Sequence, residues 1–308
     1  MSAPLVIGHR GAPGYRPEHT RAAFELAIAQ GADAVEVDVV PTRDGQLVVR
    51  HDAGLAGTTD VAAHPQFADR RTVRTVDGKR VRDWFADDLD WAELQQLRAR
   101  ERLPRLRPGS AAHDGEEGIL RLADVLRIAR DGGVRTVVEL KHATAFAERG
   151  LPLDELLAAE VPPGDRGDTI VESFEQQVLR DLARRGWSAP LISLMKAWGT
   201  PPDSETTYRD QRRDLAGFAG FAGLSVHTSL ARRSLVERAG AHGLDVWVWT
   251  LRPENAFLPP RHWSVGGPAT HGNYARHWRE IAVSGVAGVF TDHPDLARAA
   301  FASTPSRV

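Results

Sequence analysis

Cysteine is absent from this 308-residue sequence. That excludes disulfides, thiolate metal sites and a cysteine nucleophile, and says little about compartment. No apolar run approaches the ~20 residues that a spanning helix needs, so no stable membrane insertion is expected. Neither GxGxxG nor GxxxxGK(S/T) occurs, which weighs against nucleotide-dependent chemistry. Formal net charge is only −2, with both signs abundant, so neither a nucleic-acid partner nor a polybasic membrane patch is expected. No secretory leader is expected either, since strand-like sequence begins at about Leu5, and the chain is expected to be cytoplasmic. Lysine is scarce: of 39 cationic residues only Lys79, Lys141 and Lys196 are lysines. An overall arginine bias accounts for the scarcity. Lys141 and Lys196 nevertheless both follow apolar strand-like runs, which makes them more informative than most lysines.

What is present is an alternation of strand and helix signals. Leu5–His9 reads as a first strand, and Thr20 as the cap of a helix carrying Phe24, Leu26 and Ile28. Ala34–Val39 follows as a second strand, and Leu47–His51 as a third extended piece after the Asp44-Gly45 turn. From 52 to about 117 the pattern breaks down, around an arginine-rich stretch and the Trp84-Phe85 pair. So long an irregular segment inside a compact domain is read as an inserted lobe on the active-site side. Regular alternation resumes with strands near 134–141, 169–174, 190–195, 223–226, 244–250 and 286–292, separated by helical patterns. A second Pro- and Gly-bearing insertion is expected at 253–272. About eight strands, each generally followed by a helix, describe a single-domain α/β protein built as a (β/α)8 TIM barrel spanning 1–308.

Such barrels keep their chemistry where the strands end. Glu36 and Asp38 share one strand face, because side chains at i and i+2 point the same way. Two like charges on a buried face need a cation or protons to neutralise them. Glu139 and Lys141 repeat the spacing on a later strand, so Glu36, Asp38 and Glu139 form an oxygen-rich candidate site for Ca²⁺ or Mg²⁺. His9 and His51 each end an extended apolar piece and can serve as general base and general acid. Arg10 and Lys141 are candidate clamps for an anion. Trp249 is a candidate wall of the pocket, while Trp247, two residues before it, reads as barrel packing. Metal, paired cations and two imidazoles suit phosphoryl-group chemistry. Glu172 is one more acid near a strand end with no role assigned, and His64, His113, His142, His242, His262, His271 and His277 read as solvated.

The ordered set His9-Arg10-Gly11, Pro17-Glu18-His19-Thr20, Glu36-x-Asp38, His51-Asp52, Glu139-x-Lys141, Ser173-Phe174, Trp249-Thr250 and Thr291-Asp292-x-Pro294 resembles the glycerophosphodiester phosphodiesterase family over essentially the whole chain. Many members carry Asn where this chain has His19. The His19 form, with the long insertion, is similar to the bacterial periplasmic subgroup, although a periplasmic location is not part of the expectation because no leader is expected. The resemblance implies a barrel of the phosphatidylinositol-phospholipase-C-like type. It also implies His9 and His51 as the acid–base pair, Glu36, Asp38 and Glu139 as metal ligands, and Arg10 and Lys141 as phosphate contacts. The expected substrate is a small glycerophosphodiester such as glycerophosphocholine or glycerophosphoethanolamine, cleaved to sn-glycerol 3-phosphate and an alcohol. A phospholipase C- or D-like enzyme acting on intact lipid, and an inert barrel binding a phosphorylated ligand, are the alternatives. Whether water or the glycerol 2-hydroxyl attacks phosphorus is open at this point.

Overall fold

The computed structural model describes residues 3–195 and 215–302; Lys196 lies outside them. Strands β1 (Leu5–His9), β2 (Ala34–Pro41) and β3 (Leu47–Val49) come first, and β4 (Thr72–Val76) and β5 (Lys79–Asp83) form a separate antiparallel hairpin. They are followed by β6 (Arg135–Leu140), β7 (Thr169–Ser173), β8 (Leu191–Met195), β9 (Gly223–His227), β10 (Asp245–Leu251) and β11 (Gly288–Thr291). The main sheet runs β1-β11-β10-β9-β8-β7-β6-β2, and β1 pairs with β2 to close it. Every pairing in that ring is parallel. Among the described residues this is the (β/α)8 barrel that the alternation predicts.

The third extended piece is a strand, but it stands outside the ring. Leu47–Val49 is not a barrel strand but pairs antiparallel with β2, Val39 opposite Val49. The cause is the Asp44-Gly45 turn: Thr42 bonds both the Asp44 side chain and the Gln46 amide, and Gly45 takes φ 78°. So tight a turn permits only a hairpin, since a parallel strand needs a crossover of a dozen or more residues. The returning strand has a consequence for the site. It brings the chain back to the level of Asp38, whose carbonyl accepts from the Arg50 amide at 2.9 Å, and so delivers His51 to the barrel mouth.

Two apolar layers hold the barrel. Inside lie Ile7, Ala34, Val137, Ile170, Ile192, Trp247 and Phe290. The larger cluster fills the space between strands and helices, with Trp278 and Phe24 fully buried. The segment from 52 to 117 contributes Leu55, Val61, Phe67, Phe85, Leu89, Leu94 and Leu97 to that same outer cluster. Trp84 and Phe85 are buried, each under a guanidinium, that of Arg71 or Arg74. They pack the segment onto the barrel.

Candidate active site

The inner apolar layer dictates where the polar residues stand. Strand side chains alternate with period 2, so the residue two places beyond each inner apolar one also faces inward, one level higher. Above Ile7 stands His9, above Ala34 stand Glu36 and Asp38, and above Val137 stand Glu139 and Lys141. Glu172 stands above Ile170, Trp249 above Trp247, and Asp292 above Phe290. The register aligns them across strands: His9 is opposite Glu36, Asp38 opposite Glu139, and Glu139 opposite Glu172. His9, Arg10, Glu36, His51, Glu139, Lys141, Glu172 and Trp249 all line one cavity of about 1100 Å³. The tip of the β4–β5 hairpin, Val76 to Gly78, forms part of its wall.

The turn after β1 is built for this purpose. Arg10 and His19 both take left-handed backbone conformations, φ 56° and 62°, a region in which Asn, Asp and His are enriched among non-glycine residues. An Asn/His exchange at position 19 keeps that turn. Gly11, at φ 89°, runs so close to the first helix that a Cβ would lie 2.6 Å from the backbone carbon of Ala23. Only glycine fits there, and in the same turn the Arg10 amide donates to Glu36 Oε2 at 2.8 Å.

Each imidazole is held by a carboxylate. His9 Nδ1 lies 2.7 Å from Asp292 Oδ1, and His51 Nδ1 lies 2.6 Å from Asp52 Oδ1. Burial works against ionising Asp292, but Arg252, Arg107 and His9 outweigh it and hold the acid well below its usual range. An ionised carboxylate only accepts, so Nδ1 of His9 is the donor and Nε2 keeps its lone pair. Burial, then the charge of Arg10, pushes His9 down to about 4, and burial with Arg10 and Lys141 pushes His51 down to about 3. At such values both rings are neutral at pH 7.

Arginines brace both carboxylates. Asp292 Oδ2 accepts from Arg107 and Arg252 at 2.7 Å each, and Arg107 also donates to Glu254. Asp52 accepts from Arg102, Arg102 from its other edge grips Glu18, and Glu18 accepts from Arg10. Arg10 Nε lies 3.1 Å from Asp38 Oδ2, and Lys141 Nζ lies 3.3 Å from Asp38 Oδ1 and 2.7 Å from Glu139 Oε1.

These contacts divide the acids into two kinds. Burial disfavours ionised Asp38, yet Lys141 and Arg10 overcome it and hold its carboxyl well below the usual range. Glu36, Glu139 and Glu172 place one oxygen each within 4.8 Å of one another, and all three are buried. Burial first, and then Asp38 among other acids, drives Glu36 well above the ordinary carboxylate value. Burial together with Glu139 and Asp38 does the same to Glu172. Glu139 is pushed up to about 7 by burial despite Lys141. Three buried carboxylates that repel one another, one with an oxygen that has no hydrogen-bond partner among the described residues (Glu172 Oε2), are a donor set suited to a hard divalent cation.

The sequence-derived candidates therefore gather at one mouth. The closest converging acids are Glu36, Glu139 and Glu172, with Asp38 beside them between two cations. Sequence reasoning left Glu172 without a role, although its place two residues after an inner apolar residue was the available signal. Arg102, Arg107, Arg252 and the bracing role of Asp292 carried no local signal. Two histidines read as solvated are not: His262 is 2% and His277 9% exposed. Trp249 is half-buried, with its ring edge-on to Phe174 at 5.8 Å and to His227 at 5.3 Å.

Comparison with known proteins agrees with this geometry. Residues 9–296 match the model of the glycerophosphoryl diester phosphodiesterase family. A glycerophosphodiester phosphodiesterase of Bacillus subtilis is 48% identical over 304 residues, covering 95% of this chain and 84% of that protein. A solved structure from Silicibacter pomeroyi superposes with a TM-score of 0.73 over 98% of this chain and 94% of its own, at 24% identity. A phosphodiesterase of Oleispira antarctica, solved in complex with the product sn-glycerol-3-phosphate, has a TM-score of 0.65 at 24% identity, covering 98% of each chain. At such identities the two structures speak for the fold.

Proposed function

This chain belongs to the glycerophosphoryl diester phosphodiesterase family, and from that premise we propose that it hydrolyses deacylated phospholipids such as glycerophosphocholine and glycerophosphoethanolamine. The products are sn-glycerol 3-phosphate and the free alcohol. The observation that carries this reading is the pair of imidazoles, each tethered through Nδ1 to a carboxylate, in one cavity with three closely spaced buried glutamates. The product held by the Oleispira antarctica neighbour is consistent with it.

Glu36 and Glu139, with Asp38 and Glu172 beside them, would hold Ca²⁺ or Mg²⁺. Such a cation supplies Lewis-acid polarisation of the phosphate and a lowered pKa for a neighbouring hydroxyl. Arg10 and Lys141 bind the non-bridging phosphate oxygens, the first through a planar fork and the second as a point charge. One imidazole takes the nucleophile's proton on Nε2, and the other gives a proton from Nε2 to the departing alcohol oxygen. In sum the P–O bond to the alcohol breaks and the elements of water are added across it. Because burial and the neighbouring cations hold both imidazoles low, the acid member takes up its proton together with the anionic substrate. Trp249, Phe174 and His227 present ring faces and edges to the rest of the substrate.

An assay coupled to sn-glycerol 3-phosphate tests the proposal, with glycerophosphocholine as substrate and calcium or magnesium present. Turnover is expected, with losses of at least about 10²-fold in His9→Ala and His51→Ala. Failure to form sn-glycerol 3-phosphate, or full activity in both variants, would overturn it.

A further inference from the structure

A second group of metal-ligating side chains lies outside the barrel mouth. His262 ends a short helical turn, Pro260–His262, in the insertion after β10, while His277 and Glu280 sit on the helix Tyr274–Val283. His277 and Glu280 are spaced i, i+3, so they share one face of that helix. The loop is pressed onto the helix start: the His262 carbonyl accepts from the Asn273 amide at 2.7 Å. Gly272 permits the approach, since a Cβ there would fall 2.5 Å from that carbonyl oxygen.

The two imidazoles are 4.8 Å apart between ring centroids, at 33°. Both ring nitrogens of His262, and Nδ1 of His277, are buried without a hydrogen-bond partner among the described residues. A buried polar atom left unpaired costs about 1–3 kcal/mol, so three in one spot call for a ligand. His262 Nε2 lies 3.2 Å from Glu280 Oε2, but without hydrogen-bond alignment. Ligands held about 2.0–2.1 Å from a tetrahedral ion are separated by roughly 3.3 Å, which that distance matches. One donor atom from each of the three residues falls within 4.8 Å of the others.

We propose that His262, His277 and Glu280 form a binding site for a transition-metal dication of the zinc class, distinct from the acidic site at the barrel mouth. Two imidazoles and one carboxylate suit zinc and its neighbours, whereas calcium and magnesium prefer all-oxygen surroundings. Arg261 and Arg276 also touch Glu280, at 3.3 and 3.2 Å. Both are about two-thirds exposed, 68% and 69%, and can swing into water when a cation arrives. The ion would clasp the insertion to the helix. At the root of that insertion is Glu254, which grips Arg107, which in turn grips Asp292 beside His9.

The test uses the full chain, stripped with chelator and returned to saturating calcium so that the carboxylates at the mouth are filled. Zinc is then titrated calorimetrically into wild type, Glu280→Gln and His277→Gln, and melting temperatures are recorded with and without it. Wild type should bind one equivalent and melt higher in its presence. Each variant should bind at least about tenfold more weakly, the loss that removal of even an outer-shell partner causes, and gain no stability. Glu280 is partly exposed, so its variant folds even if that at His277 does not. Cobalt substitution gives a second readout, a tetrahedral absorption band in wild type that is missing from Glu280→Gln. Equal zinc binding by wild type and both variants, or no binding by wild type, would overturn the proposal.

Discussion

Asp292→Asn is the most informative single change in the active site. The native carboxylate accepts from His9 Nδ1, Arg107 Nη2 and Arg252 Nε, each at 2.7 Å. An amide offers one oxygen and one NH2, so at least one of the three donors meets another donor. When that donor is His9 Nδ1, the ring takes the opposite tautomer, its proton moves to Nε2, and the lone pair that would accept the nucleophile's proton is gone. General acid–base catalysis and correct tautomer are worth about 10²–10⁴-fold, so kcat should fall by about 10³, or ~4 kcal/mol of barrier. KM should barely move, because Asp292 acts through His9 and not on the substrate. Stability should fall too, by up to about 3–5 kcal/mol, since Arg107 is only 5% exposed at its side chain. Turnover is therefore measured in calcium below the variant's own melting transition. The discriminating assay repeats the change in a His9→Ala background, where it should cost little more, because residues acting as one unit are not additive. Near wild-type kcat in Asp292→Asn, or a full further loss in the double variant, would refute the reasoning.

Three further outcomes are expected. In chelator, Glu139 at about 7 against an ordinary 4.5 means that the native state keeps a proton the unfolded chain releases, so stability is lost as pH rises through 4.5 to 7, on the order of a few kcal/mol. The melting-temperature gap between calcium-loaded and chelated protein should accordingly widen from pH 5 to 8; a constant gap would contradict the acidic cluster as the cation site. Glu172→Gln should weaken calcium binding at least about tenfold, measured by calorimetry, and unchanged affinity would remove Glu172 from the ligand set. Gly11→Ala must place a Cβ 2.6 Å from the Ala23 backbone at φ 89°. A loss of at least about 2 kcal/mol in urea unfolding is expected, and wild-type stability would show that the turn relaxes freely.

The acidic pair Glu36/Asp38 and the pair Glu139/Lys141 were legible in the sequence because a strand's period of 2 is visible in four adjacent letters. His9 was legible because it closes an apolar run. The descent of β3 was written in Asp44-Gly45, a hairpin signal, whereas extended sequence alone does not say whether Leu47–Val49 joins the barrel ring or only lies against β2. The bracing arginines could not be read: Arg107 meets Asp292 across 185 positions and Arg102 meets Glu18 across 84, and neither lies in a periodic segment. Glu172 stands alone on its strand with no second acid at i+2 to mark it. His262 and His277 belong to a loop and an amphipathic helix, where sequence alone favours solvent, and it is the close approach at Gly272 that buries them.

The central claim is that a cation-holding acidic cluster and two carboxylate-tethered imidazoles together cut the ester between phosphorus and the alcohol. Phosphorus NMR of glycerophosphocholine incubated with the protein, in calcium and in chelator, tests it most directly. The account predicts conversion of the diester signal into that of sn-glycerol 3-phosphate in calcium, and an unchanged diester in chelator. Phosphocholine as the product, or equal conversion in chelator, would contradict it.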